Sequence, residues 1–148
     1  MAGYAWAMGQ IVDRIRQGWT ETDLVFSGDP FPEPNPPRPF VMVKVEGGTS
    51  EAKGWGDSGR VYQRQPLTIR IDAFAPVAEG PARPVELAES AGELLARLSR
   101  LAGTGGPFLT LATASVSGPW PARGTAGYLN ARAKVEGHID SWSTPNEG

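Results

Sequence analysis

The sequence predicts an α+β domain, a two-layer sandwich in which two helices pack on one face of a mixed or antiparallel sheet of about four to five strands. Three observations predict it. Two segments carry apolar residues at helical spacing, one near the start of the chain and one leading to Leu101. Three others alternate apolar and polar residues with the period of two that a half-buried strand requires. Each helix has a single apolar stripe, and one shared sheet face is the economical way to bury both. With 148 residues, the chain reads as a single domain over 1–148 with room for one core.

The elements follow in order. Met8, Ile11, Val12, Ile15 and Trp19 fall on one helical face, which predicts a helix over 4–17 ended by Gly18 in a C′ position. Leu24–Phe26 is a short apolar run with strand character. Ser27–Pro39 holds six prolines, so it should cross the surface as an extended connector. In Phe40–Glu46, Val41, Val43 and Val45 face one way and Met42, Lys44 and Glu46 the other. Gly47–Arg60 is glycine-rich and reads as a long mobile loop, a kind of segment that is usually functional or disordered. Val61–Ala75 returns as a long strand with Leu67, Ile69, Ile71 and Ala73 buried, Pro66 marking a bulge or an edge. The two strands should pair antiparallel.

Pro84 suits the first turn of a second helix, with Leu87, Ala91, Leu94, Leu95, Leu98 and Leu101 as its stripe and Gly103 as its stop. Phe108–Val116 and Gly127–Ile139 are the last two strands. Between them Ser117–Gly127 is a turn carrying Trp120, and the polar tail over 143–148 should fray.

Composition narrows the classes. A formal charge of −2 gives no general reason to bind nucleic acid or an anionic membrane. The absence of cysteine excludes disulfides and thiolate chemistry and fits assembly in a cytoplasm. The opening MAGYAWAMGQIV lacks a basic leader and soon meets Asp13, so it reads as helix, not signal peptide. No window approaches the ~18 apolar residues of a membrane span.

Several motifs resemble chemistry without completing it. Gly56-Asp57-Ser58-Gly59 matches the core of a serine nucleophile motif, but Arg60 follows it. The only histidine, His138, lies far downstream, whereas a triad needs a base and its orienting carboxylate. Gly54-x-Gly56-x-x-Gly59 has dinucleotide-turn spacing, but a strand follows it where a helix should begin. Asp57, Asp72 and Asp140 lack calcium-loop spacing, and Glu86, Glu89 and Glu93 form a solvated helix face. No cofactor, metal or catalytic residue is assigned. Arg60, Arg64, Arg70 and Arg123 with Trp55 and Tyr62 suggest a nucleic-acid groove, but acidic residues interleave throughout. PNPPRP has the look of an SH3-type ligand, yet a stiff connector is its commoner role. What stands out is aromatics in loops: Phe31 in the connector, Trp55 between glycines, Trp120 between two prolines. Such rings are either lids on the core or partner contacts, and Trp55 is the best candidate for a contact.

The connector DPFPEPNPPRPFVMVKV, a glycine-rich loop, and a strand ending IDAFAP before a Gly/Pro turn and helix resemble the tail terminator (tail completion) proteins of long-tailed phages and of gene transfer agents. The matching residues are Pro39–Val45, Arg70–Pro76 and Leu129–Val135; in element order the likeness spans roughly the whole chain. It implies a structural protein without enzymatic activity. Such proteins form a hexameric ring at the head-proximal end of the tail tube, end tube polymerisation and join tail to the head-completion or stopper protein. DNA passes the lumen as cargo, with no membrane partner, and the particle's neck is assembled in the bacterial cytoplasm. A closed ring needs two different matching patches per subunit, and unpaired sheet edges are natural ones. Loop logic offers Lys53, Trp55 and Arg60 as contacts to tube or neighbour. Arg70 and Asp72 on the outward row, with Phe31, Trp120 and Arg123, complete the interface candidates. The alternatives are another head–tail connector or tail-tube component and, from a different class, a small hydrolase using Ser58. For the last, Ser58→Ala should leave turnover of hydrolase probes at the background of the parent chain; a loss of measurable turnover would establish the enzyme.

Overall fold

The computed structural model describes residues 3–48, 51–55, 61–96, 101–102, 107–124 and 126–143. Helix α1 (Gly3–Gly18) leads through β1 (Asp23–Phe26) and the proline-rich connector to β2 (Phe40–Gly47) and β3 (Glu51–Trp55). Strand β4 (Val61–Pro76), a 3₁₀ turn (Val77–Glu79) and helix α2 (Ala82–Ala96) follow. Strands β5 (Leu101–Ala102), β6 (Phe108–Leu111), β7 (Ser115–Pro121) and β8 (Tyr128–Ser143) complete the chain. The α+β class and the two helices on one sheet face are as the sequence predicts. No helix among the described residues is long and apolar enough to cross a membrane.

The spine is β4 paired antiparallel with β8 over all sixteen residues, from Val61↔Ser143 to Pro76↔Tyr128. At ~3.3 Å per residue this ribbon is about 50 Å long. Strand β2 and then β3 line the free side of β4, and β7 and β6 line the free side of β8. Strand β1 adds to β2 in parallel, and β5 pairs with β6. Between the partners Gly47↔Leu67 and Glu51↔Arg64, the flanking chain advances four residues while β4 advances three. Between Leu111↔Gly137 and Ser115↔Lys134, the same four-against-three step occurs beside β8. A second shift of one residue falls within each flank, between Ala52 and Gly54 in β3 and between Ser117 and Trp120 in β7. Each flank is thus one long line with two extra residues, the arithmetic of β-bulges. These interruptions divide each flank in two, and β5 adds a further short strand, so eight strands appear where about four to five were expected.

Three expectations change accordingly. Gly47–Arg60 is not a loop throughout, since β3 occupies Glu51–Trp55 within it and pairs with β4. Ser117–Gly127 is not simply a turn, because β7 runs to Pro121 and carries Trp120 as a strand residue. Leu101 belongs to β5 and not to the helix stripe; Leu98 and Gly103 lie outside the described residues, as does the tail from Thr144. Pro66 sits inside β4 with unbroken register to β8. Its carbonyl accepts the Gly48 N–H at 2.8 Å, so its missing N–H faces the step between β2 and β3, where no ladder bond is lost. It is the edge-like position expected, without a bulge in its own strand.

The core follows the alternation. Leu67, Ile69, Ile71 and Ala73 of β4 and Ala131, Ala133, Val135 and Ile139 of β8 meet Ala7, Ile11 and Ile15 of α1 and Leu87, Ala88, Ala91 and Leu95 of α2. Gly18 closes α1 for a different reason than a left-handed cap. It lacks a positive φ, and its bare backbone faces the Leu94 side chain of α2, whose Cδ1 a Cβ would approach to 2.6 Å. Pro84 is buried in the first turn of α2, where no intrahelical N–H partner is required.

Two glycines bracket the tolerance of this packing. At Gly137 a Cβ would collide with the Thr110 carbonyl of the neighbouring strand, whereas at exposed Gly9 it would meet nothing. Gly137→Ala should lower unfolding free energy by about 1–3 kcal/mol through overpacking. Gly9→Ala should raise it by about 0.5–1 kcal/mol through helix propensity. Urea denaturation of both variants checks the opposite signs.

Candidate functional site

With the helices on one face, the other face of the sheet is lined by the second half of every alternation. In-register positions form rows across strands. One row reads Asp23, Phe40, Phe74, Asn130 and Trp120 over β1, β2, β4, β8 and β7. The next is Val25, Met42, Asp72, Arg132 and Ser117. Beyond it lie Lys44, Arg70, Lys134 and Ser115, then Glu46, Thr68 and Glu136.

At the β1 side of this face the connector folds back as a lid. Phe31 packs on Phe40 at 5.1 Å, Phe40 stacks on Phe74 at 4.7 Å and meets Tyr128 edge-on at 5.7 Å. The Tyr128 hydroxyl accepts the Arg38 backbone N–H and donates to the Arg38 carbonyl, and Arg38 also pairs with Asp23 at 2.6 Å. Phe31 is therefore an intramolecular contact, half-buried, not an exposed ring.

The middle of the face is a charge lattice. Arg70 and Lys134 oppose each other across the β4–β8 ladder, an unfavourable like-charge pair on its own. Glu46 relieves it, bonded to Lys44 at 3.1 Å and to Arg70 at 3.2 Å, and Glu136 sits 3.3 Å from Lys134. The Lys44 ammonium, with Arg70 beside it, outweighs slight desolvation and holds the Glu46 carboxyl below its usual range. Asp72 takes Arg132 in a two-pronged pair at 2.9 and 3.5 Å. Arg70 and Asp72, expected to stand free for a neighbour, are thus already engaged within the chain. Exposed pairs of this kind contribute little stability each; their effect is to keep an almost balanced, hydrated surface.

The two ends differ. At the lower end, beside β7, a groove of about 690 Å³ is lined by Asp72, Phe74, Trp120, Pro121, Arg123, Asn130 and Arg132. It brings together three of the sequence candidates, Asp72, Trp120 and Arg123. At the upper end Arg64 binds Asp140 at 2.8 and 3.3 Å and donates to the Tyr62 hydroxyl at 3.2 Å. His138 lies 3.4 Å from the same carboxylate. Tyr62 touches Trp142 at 5.3 Å, and Trp142 and Phe108 are 41% and 47% exposed on this face. Glu86, Glu89 and Glu93 are solvated as expected. Lys53 and Trp55 belong to β3, where Trp55 pairs with Val61; their side chains, and all of Arg60 and Ser58, lie outside the described residues. No cluster of metal-ligating side chains occurs among the described residues.

Asn130, Phe108 and Trp142 escaped the sequence reading. For Asn130 and Trp142 the signal was present in the parity of the last strand, which continued past Ile139 puts Asp140 and Trp142 on the same face as Arg132; Phe108 joins them only through its register with Asp140. The chain matches no protein-family model and no curated protein.

Burial raises the Asp140 pKa, but hydrogen bonds from Arg64 and Tyr62, with the His138 and Arg64 charges, more than offset it, leaving the carboxyl below the usual aspartate range. A depressed folded pKa contributes stability above the unfolded value, near ~4, that is lost as pH falls through the folded value. The stability gap between the parent chain and Asp140→Asn should therefore be widest near neutrality and close below about pH 4, as thermal melts across pH would record.

Proposed function

We propose that this chain is a structural subunit of the tail-terminator kind. It would assemble into a ring at the head-proximal end of a tail tube, end the tube's growth and present a surface to the head-completion or stopper protein. The observation that carries the reading is the likeness of Pro39–Val45, Arg70–Pro76 and Leu129–Val135 to that family. The three segments are neighbours in space: β2, the second half of β4 and β8 lie side by side, and Pro76 feeds directly into the turn before α2. The reading is supported by the character of the surface. A broad sheet face with balanced charge at its centre and half-exposed aromatic rings at its ends suits reversible protein–protein docking, where aromatic and arginine side chains supply most of the binding energy.

On this reading the ring is a homo-hexamer, DNA crosses its lumen as cargo, and the particle neck is the site of residence. Ring closure requires two unlike patches on each subunit. The Tyr62–Phe108–Trp142 end is one, with β3, which carries Lys53 and Trp55, beside it. The Trp120–Arg123 end is the other.

Native mass spectrometry of the chain, alone and with tail-tube protein, should find hexamers, and electron microscopy should find tubes capped and shortened. A chain that stays monomeric beside growing tubes would overturn the reading. Long tubes formed by the chain alone would establish the tube-protein alternative. Phe108→Ser should reduce hexamer yield while shifting unfolding free energy by no more than about 0.5 kcal/mol, as expected for an exposed position.

A further inference from the structure

The groove beside β7 contains an acceptor that the fold leaves unused. Asn130 is 8% exposed, and its Oδ1 is buried without a hydrogen-bond partner. Its neighbours in the row, Phe74 and Trp120, do not supply a donor, and the nearest guanidinium on its own strand, that of Arg132, is turned to Asp72. A buried amide oxygen without a partner costs about 1–3 kcal/mol, and such groups in native proteins call for a specific explanation. A second observation lies at the mouth of the same groove. Arg123 is exposed and has no carboxylate partner among the described residues, whereas Arg132 is neutralised by Asp72. The third is the apolar shelf of Trp120, Phe74 and Pro121.

We propose that this groove binds an extended, acidic peptide segment of a partner protein. Its apolar side chain rests on Trp120, Phe74 and Pro121, its neighbouring carboxylate pairs with Arg123, and its backbone N–H donates to Asn130 Oδ1 once the lining side chains shift to uncover that buried atom. Only one cation in the groove is uncommitted and an Asp72 carboxylate lines it, which fits a single carboxylate and not a run of phosphates, since nucleic-acid binding rests on several neutralised phosphates. Among the described residues β7 pairs with β8 alone, so a chain can approach along it. Pro119 and Pro121 lack backbone N–H groups, so the peptide is held by side chains above the sheet and not as an added strand. The proposal stands on the groove alone and holds whether or not the chain caps a tube.

The test is a selection of random linear peptides on the full chain, followed by titration of end-blocked synthetic versions of those enriched. The enriched peptides should share Asp or Glu beside an aromatic or aliphatic residue. Arg123→Gln, a surface change, should weaken them about ten-fold or more, and replacing the peptide's acid by its amide should erase that difference. Asn130→Leu should weaken binding comparably while the melting temperature stays level or rises, because the orphan acceptor is removed. Peptides lacking an acidic signature, equal affinity for either variant and the parent, or displacement of peptide by oligo-dT with steep salt dependence would each overturn the proposal.

Discussion

The ladder between β4 and β8 is the constraint on which the rest of the molecule depends. Its partners are separated in sequence by the whole of α2, β6 and β7, so closing it is a long-range event whose entropy cost must be met by the core it creates. Its parity assigns every side chain in its sixteen rows to the helix face or the open face. A slip of one residue would expose Ile69, Ile71 and Val135 and bury Arg70, Asp72 and Lys134, an exchange no compact state survives. Register here is therefore the most strongly specified feature of the fold, and the flanking strands inherit it.

The same parity explains why the open face is polar without being a site of obvious chemistry. Charges on it are met by counterions on the same or the next strand, Lys44 and Arg70 by Glu46, Lys134 by Glu136 and Asp72 by Arg132, while Asp23 takes Arg38 of the connector. Such a lattice contributes little to stability because water competes for every pair. It does suppress indiscriminate sheet stacking, since a second sheet would have to desolvate paired ions. The apolar groups are confined to the ends, where Phe40 is lidded by the connector while Trp120, Phe108 and Trp142 are left partly uncovered.

Much of the fold was legible in the sequence because two periods, 2 and 3.6, were written cleanly into β2, β4, β8 and both helices. Val41/Val43, Leu67/Ile69/Ile71 and Ala131/Ala133/Val135 all face the core as the alternation implies. What was not legible has a common origin. Glycine and proline mark Gly47–Arg60 and Ser117–Gly127, and by local propensity they read as loops; tertiary pairing with β4 and β8 nevertheless draws β3 and most of β7 into the sheet. Counterions such as Glu46 for Arg70 and Arg132 for Asp72 were invisible because they depend on which strands become neighbours. The groove depends on the same knowledge: Phe74, Asn130 and Trp120 are 56 residues apart at the extremes and meet only through register.

The extra residues on the two flanks bear on how this sheet can be addressed by another molecule. Each bulge bends its strand and sharpens the local right-handed twist; one pair lies near the middle of a ribbon about 50 Å long, and the others lie toward its opposite ends, in β3 and in β7. The halves above and below them are accordingly rotated against one another like the ends of a propeller blade. The Trp120 groove and the Trp142 end then look out along different bearings although they belong to one continuous face. A flat partner can seat on one end only; contact with both requires a partner that curves, or two partners arriving from separate directions.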